Sequence, residues 1–205
     1  IMVRLVDSNH ANIATARTRN IESYYMSILD EEAADEIDLT GIGRLLALTP
    51  NDEVNSLAAL RFAEMFGRDN VYQLPRADSK RPGVDPNLPG SEWKGQIAFG
   101  KSWTYQALQS RWAQGSRIER IRLDETYPFD KLMKERGGTL VPLVAVSDLK
   151  RVRILTADAK PDLRGKQTLI AMIPNEPLPS AAEENEGPRP ADVPRPSARV
   201  STVSP

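Results

Sequence analysis

Short apolar runs alternate with stretches of helical periodicity over the first 75 residues of the chain. Runs rich in apolar and β-branched residues predict strands at residues 2–6, 21–26, 45–48 and 71–74. Between these runs, apolar positions recur at three- and four-residue spacing and predict three helices. Elements that alternate at these lengths are typical of βαβ units with right-handed crossovers. We therefore predict a parallel sheet that is covered on both faces.

The clearest junction lies between the third strand and the third helix. The strand, residues 45–48, is apolar on both faces, as in the centre of a parallel sheet. Thr49 can serve as the N-cap, Pro50 suits the first helical position, and Asp52 places a charge in the first turn. Gly67 stands where a left-handed residue would end the helix. Strand ends of this kind are where open α/β sheets bind ligands.

The two shorter helices also carry end signals. The sequence Asp7-Ser-Asn9 offers a turn and an N-cap for the first helix, and Asn20 can close it. Asp30 is expected to cap a short acidic helix that ends before Gly41. Each of these polar residues is thus expected to mark an element boundary.

The composition changes after residue 75. Residues 76–95 are rich in Pro, Gly, Asp, Ser and Lys and predict a linker. Helical spacing at residues 104–113 and 129–136, with strand patterns at residues 118–123, 140–146, 152–155 and 168–173, predicts a small α+β domain with an antiparallel sheet.

Four segments are therefore expected. They are a truncated Rossmann-like domain at residues 1–75, the linker, the α+β domain at residues 96–174 and a tail at residues 175–205. The tail holds seven of the 16 prolines and no aromatic residue, so we predict that it is disordered. The linker prolines cannot lie inside a shared sheet, which implies two separate folded units. Ile1 precedes Met2, which indicates a fragment.

Composition narrows the function. The formal net charge is −1 and basic residues are interleaved with carboxylates, which argues against nucleic acid as a partner. The absence of cysteine excludes disulfides and thiolate catalysis and fits a reducing, cytosolic environment. No segment approaches the roughly 20 apolar residues of a membrane span, and no signal peptide pattern opens the chain.

Polar residues at the strand ends are the candidate ligand contacts. Asp7 follows the first strand, where dinucleotide folds place an acid that accepts hydrogen bonds from ribose hydroxyls. Thr49, Asn51 and Asp52 follow the third strand, and Ser27 follows the second. The plain alternative is that these side chains only cap helices and turns. Both interpretations stay open on the residues alone.

The same residues resemble the RCK domain, also called the Trk N-terminal domain, of potassium channels, potassium uptake systems and cation:proton antiporters. Residues 47–59 are similar to the Thr-x-x-Asp-Glu-x-Asn stretch with which that family opens the helix after its fourth strand. The sequence of residues 6–14, together with Tyr24-Tyr25 and residues 48–52, looks most like the soluble C-terminal part of bacterial sodium:proton antiporters. Residues 117–173 look more weakly like the companion C-terminal RCK subdomain.

The resemblance implies a nucleotide site. Asp7 matches the family's ribose-binding acid, and Ser27 stands where the family often has an aspartate that contacts adenine. The implied cofactor-binding residues, from which NAD(H) or another adenine nucleotide is the implied ligand, are Asp7, Ser8, Asn9, Ser27, Thr49, Asn51 and Asp52. The glycine-rich phosphate loop that the family places before the strand at residues 2–6 is not in this sequence, so we expect weak binding by this chain alone.

The resemblance also implies a role. It predicts a regulatory, nucleotide-sensing module on the cytoplasmic side of the cell membrane, belonging to a monovalent cation:proton antiporter or a related potassium transport system. Partners would be a second copy, through the helices that cover the sheet, and a membrane transporter domain in the same or another chain.

Two other classes remain as alternatives. One is an interaction domain that dimerises and binds no nucleotide. The other is a reductase fragment, because Tyr127 and Lys131 have the Tyr-x-x-x-Lys spacing of short-chain reductases. That pair lies beyond the Rossmann-like part, His10 is the only histidine, and the acidic groups lack the spacing of a metal loop. We therefore expect no enzymatic activity and no bound metal.

Overall fold

The computed structural model describes residues 1–77, 95–137, 139–157, 163 and 165–175. Most of the expected linker and almost all of the expected tail lie outside the described residues. The described part is a mixed α/β structure with parallel sheets in its first half and an antiparallel sheet in its second half, as the sequence predicts.

The first half alternates strands and helices at the expected places. Its elements are β1 (Arg4–Asp7), α1 (His10–Thr18), β2 (Glu22–Tyr25), α2 (Ala33–Glu36), β3 (Leu45–Ala47), α3 (Asp52–Phe66) and β4 (Val71–Gln73). All three strand pairings in this half are parallel. The strands nevertheless form two sheets instead of the single sheet that the alternation suggested. One sheet pairs β1 with β2, and the other has the order β3-β4-β5, where β5 is Gln96–Ile97.

α3 begins two residues later than expected, at Asp52 instead of Pro50, so Pro50 lies before the helix and its cap. Asn51, not Thr49, is the N-cap, and its side-chain oxygen accepts from the backbone N–H groups of Glu53 (3.0 Å) and Val54 (3.1 Å). The Thr49 hydroxyl instead donates to Asn55 Oδ1 at 2.8 Å. The buried Asn55 therefore binds the side chain of Thr49, the residue that sequence spacing alone assigned to the helix cap.

The acidic helix is also shorter than expected. α2 spans four residues and begins after Glu32, which makes no capping hydrogen bond with its side chain. Asp30 instead accepts from the backbone N–H of Ser27 at 3.1 Å, so it closes the turn after β2. The other two predicted boundaries agree: Asn9 caps α1 by accepting from the Ala11 N–H, and Asn20 follows α1 with a φ of 56°.

α3 is held by an apolar cluster on the β3-β4-β5 sheet. Phe62 is 2% exposed and shares the cluster with Ala59 and with Val71 of β4, which is fully buried. Phe62 and Phe66 stack with ring centroids 5.8 Å apart. Leu39, in the loop after α2, packs against the same cluster and so attaches that loop to α3.

The second half is an antiparallel sheet with helices. Its elements are α4 (Tyr105–Ala113), β6 (Arg117–Leu123), α5 (Phe129–Arg136), β7 (Val141–Ser147), β8 (Val152–Ile154) and β9 (Gln167–Ile173). The strand order is β6-β9-β7-β8, which makes β9 an interior strand and β6 an edge. Leu132 of α5 is fully buried in a cluster with Leu123 and Leu169, on one face of this sheet.

Backbone hydrogen bonds connect the two halves directly. Phe99 N–H donates to the Leu155 carbonyl at 2.7 Å, and Ala157 N–H donates to the Ile97 carbonyl at 3.0 Å. A second buried cluster contains Tyr72 and Leu74 from the first half together with residues of β7, β8 and β9, namely Val141, Ile154 and Met172. The sequence pattern predicted neither β5 nor this shared core, and residues 1–175 form one compact unit. Within the described ranges, no helix is both long enough and apolar enough to cross a bilayer.

Candidate functional site

Asp7 ends β1 and organises the turn into α1. Its Oδ1 accepts from the Asn9 N–H at 2.8 Å, and its Oδ2 accepts from Asn12 Nδ2 at 2.7 Å. These bonds explain why an acid suits the position, because they fix the entry to the helix. A carboxylate has about four acceptor sites, so two bonds leave capacity for further donors such as ligand hydroxyls.

An aromatic pair lies beside Asp7. Tyr25 is the residue directly opposite Asp7 in the parallel pairing of β1 and β2, and it is 57% exposed. His10, the first residue of α1, makes an edge contact with the Tyr25 ring at a centroid distance of 5.4 Å. The carboxyl end of this sheet therefore combines a carboxylate with a half-exposed aromatic face. The amino-acid sequence alone does not connect these three residues, because a local hydrophobic pattern does not show which strands pair.

Ser27 lies two residues beyond β2. Its hydroxyl oxygen accepts from the Leu29 N–H at 3.1 Å, and its own N–H donates to Asp30 Oδ2. Within the described residues the Ser27 hydroxyl donates no hydrogen bond, so it can donate one to a ligand. Ser8 lies between Asp7 and Asn9 and is exposed.

A second polar group occupies the end of β3. Asn55 is 1% exposed and accepts from both the N–H and the hydroxyl of Thr49, at 2.9 and 2.8 Å. Its Nδ2 donates back to the Thr49 carbonyl at 2.9 Å. Asp52, in the first turn of α3, accepts from the Ala77 N–H at 3.1 Å and so ties the chain after β4 to the helix. These contacts fix the junction between β3 and α3 without the help of a ligand.

Gln73, like Asn55, is a buried polar residue that the sequence pattern did not single out. It ends β4 next to Ala47 of β3, is 1% exposed, and its Oε1 has no hydrogen-bond partner among the residues that the structure describes. A glutamine inside an apolar strand is a visible signal, because buried amides normally require partners. The unsatisfied oxygen is an acceptor for a water molecule or a ligand N–H.

The predicted site residues form three separate groups in the described structure. Asp7 ends β1 and is followed by Ser8 and Asn9, Ser27 follows β2, and the Thr49–Asp52 group follows β3. The pairing of β1 with β2 brings the first two groups to the same sheet edge. Across the described ranges, no hydrogen bond links either of them to the Thr49 group.

Arg4 links the β1-β2 sheet to the loop after α2. Its side chain is only 7% exposed and contacts Glu22 Oε2 (3.0 Å), Asp38 Oδ2 (2.7 Å) and the Thr40 carbonyl (3.2 Å). The Tyr24 hydroxyl donates to the other oxygen of Glu22. Every arm of the guanidinium is thereby used within the fold.

These bonds shift the pKa values of the group. The Tyr24 hydroxyl and then Arg4 hold the pKa of Glu22 below its usual value. The Thr40 backbone N–H, followed by the Thr40 side chain, lowers the pKa of Asp38, with a further contribution from the Arg4 charge. The bond to Glu22 raises the pKa of Tyr24. The charged forms of both carboxyls are therefore favoured by folding.

The Tyr127 and Lys131 pair has the geometry of a packing contact. The Lys131 ammonium lies 5.5 Å from the centre of the Tyr127 ring, and the Tyr127 hydroxyl donates to Glu135 at 2.7 Å. That bond, with burial, raises the pKa of Tyr127, whereas a reductase needs a lowered one. Among the residues that the structure describes, no group of three or more His, Cys, Asp or Glu residues is placed to hold a metal.

Known proteins show little similarity to this chain. No protein-family model matches the chain, and no curated protein matches it. Among solved structures, the chain is similar to one titled "Crystal Structure of the GsuK RCK domain", with a TM-score of 0.30 and 8% sequence identity. The similarity covers 84% of this chain and 43% of that one, so the chain spans less than half of the length of that structure.

Proposed function

We propose that the chain is a cytoplasmic regulatory module that senses an adenine nucleotide for a monovalent cation:proton antiporter or a related potassium transport system. The sequence resemblance supports the transport assignment. The nucleotide assignment rests on one structural observation, the strand register that places Asp7 opposite Tyr25, which is 57% exposed.

The chemistry of this edge suits an adenosine group. The free acceptor sites of Asp7 would bind the ribose hydroxyls, and the Tyr25 ring offers a face on which adenine can stack. Stacking of a base on an aromatic side chain contributes about 1–3 kcal/mol, and a hydrogen bond to a charged group about 1.5–3 kcal/mol. NAD(H) is the first candidate, and ATP and AMP share the same adenosine.

Regulation requires that the nucleotide bind two conformations with different affinity. The Arg4 contacts offer a physical connection for such a change. They join the β1-β2 sheet to Asp38 and Thr40, and Leu39 between them packs on the cluster under α3. A displacement of β1 on ligand binding would therefore be felt at α3.

The test is a titration of the chain with millimolar NAD, NADH, ATP and AMP, followed by amide chemical shifts and by calorimetry. At least one nucleotide should shift the amides of residues 7–12 and 25. Asp7→Ala and Tyr25→Ala should each weaken its affinity by about 1–3 kcal/mol, roughly 5- to 150-fold.

Two control variants separate ligand contact from loop damage. Asn12→Ala removes an internal bond to Asp7 but leaves the carboxylate, so it should not weaken binding. Tyr25→Phe keeps the ring and should bind like the wild type. Absence of any shift at this edge, or equal affinity with and without Asp7, would favour an interaction domain that binds no nucleotide.

A dimerising interaction domain is the second candidate, and the outer face of α3 favours it. Leu57 and Leu60 are 52% and 39% exposed on that helix. Pairing of two copies through this face would cover both side chains. Sedimentation equilibrium of Leu57→Lys against the wild type tests it, since a lysine there should weaken any helix-mediated dimer.

A further inference from the structure

An apolar stripe of α4 is packed against the core at one end and exposed at the other. Tyr105 and Leu108 pack against the core shared by the two halves, and Trp112 lies on the same helical stripe, seven residues after Tyr105. Trp112 is nevertheless 56% exposed. The apolar face of α4 therefore continues from the buried core onto the surface of the molecule.

The strand that follows α4 has an exposed apolar residue at the same end. Gly115 N–H donates to the Trp112 carbonyl and Ser116 N–H to the Arg111 carbonyl, so β6 begins beside the last turn of α4. Ile118, the second residue of β6, is 46% exposed. Trp112 and Ile118 are therefore both exposed apolar residues within a few positions of the junction between α4 and β6.

β6 is also an open sheet edge. It pairs with β9 on one side, and on its other side no backbone hydrogen bond joins it to another residue of the described ranges. The N–H and C=O groups that β9 does not use, those of alternate residues along this seven-residue strand, are a template for another strand. Exposed apolar residues at such an edge fit a strand that brings its own apolar side chains.

We propose that β6 pairs antiparallel with β6 of a second copy of this chain, about a two-fold axis at Ile118. Each Ile118 then lies opposite Ile118 of the partner subunit. The two Trp112 side chains flank the axis and cover the isoleucines. This surface is distinct from the helix-mediated pairing considered above.

Charge complementarity selects this register. In a continuous sheet with the axis at Ile118, Arg117 opposes Glu119 of the partner subunit, and Glu119 opposes Arg117 of the partner subunit. Within one chain Arg117 and Glu119 already form an exposed ion pair, with side chains 55% and 35% exposed. Exchanging an exposed pair for an intersubunit pair costs little.

The neighbouring registers place like charges together. An axis at residue 119 opposes two glutamates, and an axis at residue 120 opposes two arginines. An axis at residue 121 opposes Arg120 and Arg122 twice. Axes at residues 117 and 122 each oppose two arginines. An axis at residue 123 would need Asp124 within a strand, whereas Asp124 turns the chain by accepting from the N–H groups of Thr126 and Tyr127. A second copy therefore fits in one way, and we expect a reversible dimer of modest area.

Single cysteines give a direct test, since the chain has none of its own. In the proposed register, Ile118→Cys places two sulfhydryls on residues whose Cβ atoms are about 4.5–5.5 Å apart, and mild oxidation should link the copies. Arg120→Cys is the matched control. Residue 120 opposes residue 116 of the partner, so the two cysteines are offset by about 13 Å and should not link.

Charge exchange tests the same register without cysteine. Arg117→Glu or Glu119→Arg alone should weaken dimerisation at least tenfold in sedimentation equilibrium, whereas the double variant should restore it. Trp112→Ala should weaken it as well. These side chains are exposed, and circular dichroism of each variant checks that the fold is retained. A monomer at all concentrations, equal crosslinking at positions 118 and 120, or a dimer insensitive to the single charge changes would overturn the proposal.

Discussion

At the scale of single residues, buried polar groups determine how the loops are placed. Arg4 and Asn55 are both nearly inaccessible, and each satisfies several backbone or side-chain groups at once. Arg4 does so with partners 18, 34 and 36 residues away in sequence. Such partners cannot be inferred from periodicity, because the strand pattern only shows that one arginine interrupts an apolar run.

The Arg4 cluster predicts how stability depends on pH. Folding lowers the pKa values of Glu22 and Asp38, so their stabilisation is complete above the unfolded values near 4 and is lost as the pH falls through the folded values. Wild-type stability should therefore fall below about pH 4 more steeply than that of Arg4→Met. Tyr24 acts in the opposite sense, because its raised pKa makes its contribution disappear above about pH 10.

Urea unfolding midpoints between pH 2.5 and 7 measure the acid effect. Arg44→Met removes an exposed arginine outside the cluster and serves as the control. Parallel pH curves for Arg4→Met and the wild type would show that the cluster contributes nothing to acid sensitivity.

Asn55 predicts a larger effect than the true N-cap. Asn55→Ala leaves both the N–H and the carbonyl of Thr49 without their partner and should cost about 2–4 kcal/mol of unfolding free energy. Asn51→Ala removes only the capping bonds and should cost about 1 kcal/mol. Denaturant unfolding of the two variants distinguishes them, and equal losses would contradict the role given to Asn55.

At the scale of elements, hydrophobic periodicity was a good guide to position and a poor guide to partners. The helix at residues 129–136 was predicted with its observed ends, since Pro128 and a glycine pair bound it. The N-cap of α3 was misplaced because Thr49 and Asn51 are both good caps, and only the buried Asn55 decides between them. β5 was not predicted because a strand of two residues shows no hydrophobic periodicity. The split into two parallel sheets was not predicted either, since it depends on strand pairing that no local pattern encodes.

Burial along α3 predicts which substitutions matter. Phe62 is 2% exposed at the centre of its cluster, so Phe62→Ala should lose about 3–5 kcal/mol of unfolding free energy. Leu57 on the opposite face is 52% exposed, and Leu57→Ala should change stability by less than about 0.5 kcal/mol. Thermal unfolding monitored by circular dichroism compares them, and a comparable loss in both would place α3 differently from the structure.

At the scale of the whole molecule, the proline-rich segment and the shared core lead to different expectations about whether the two halves unfold together. The prolines suggested two independent folded parts. The core that combines Tyr72 and Leu74 with Val141 and Met172, and the backbone bonds at Phe99 and Ala157, favour a single cooperative unit instead.

Unfolding by two probes decides between these expectations. Trp103 and Trp112 report on the second half by fluorescence, and protected amides of β1 and α3 report on the first half by hydrogen exchange. We expect coincident transitions, and Met172→Ala should lower both by about 2–4 kcal/mol. A first transition confined to residues 1–77 would instead support separable parts.

The position of β9 in the antiparallel sheet has a consequence for synthesis. β9 pairs with β6 on one side and β7 on the other, yet it is translated after both. Roughly 40 residues separate the end of β6 from the start of β9, which the ribosome needs about 2–9 s to add. During that interval β6 and, once it is made, β7 have no β9 to pair with, and their edges stay open. The nascent chain therefore depends most on chaperones at this stage. A message truncated before residue 167 would yield an aggregation-prone product.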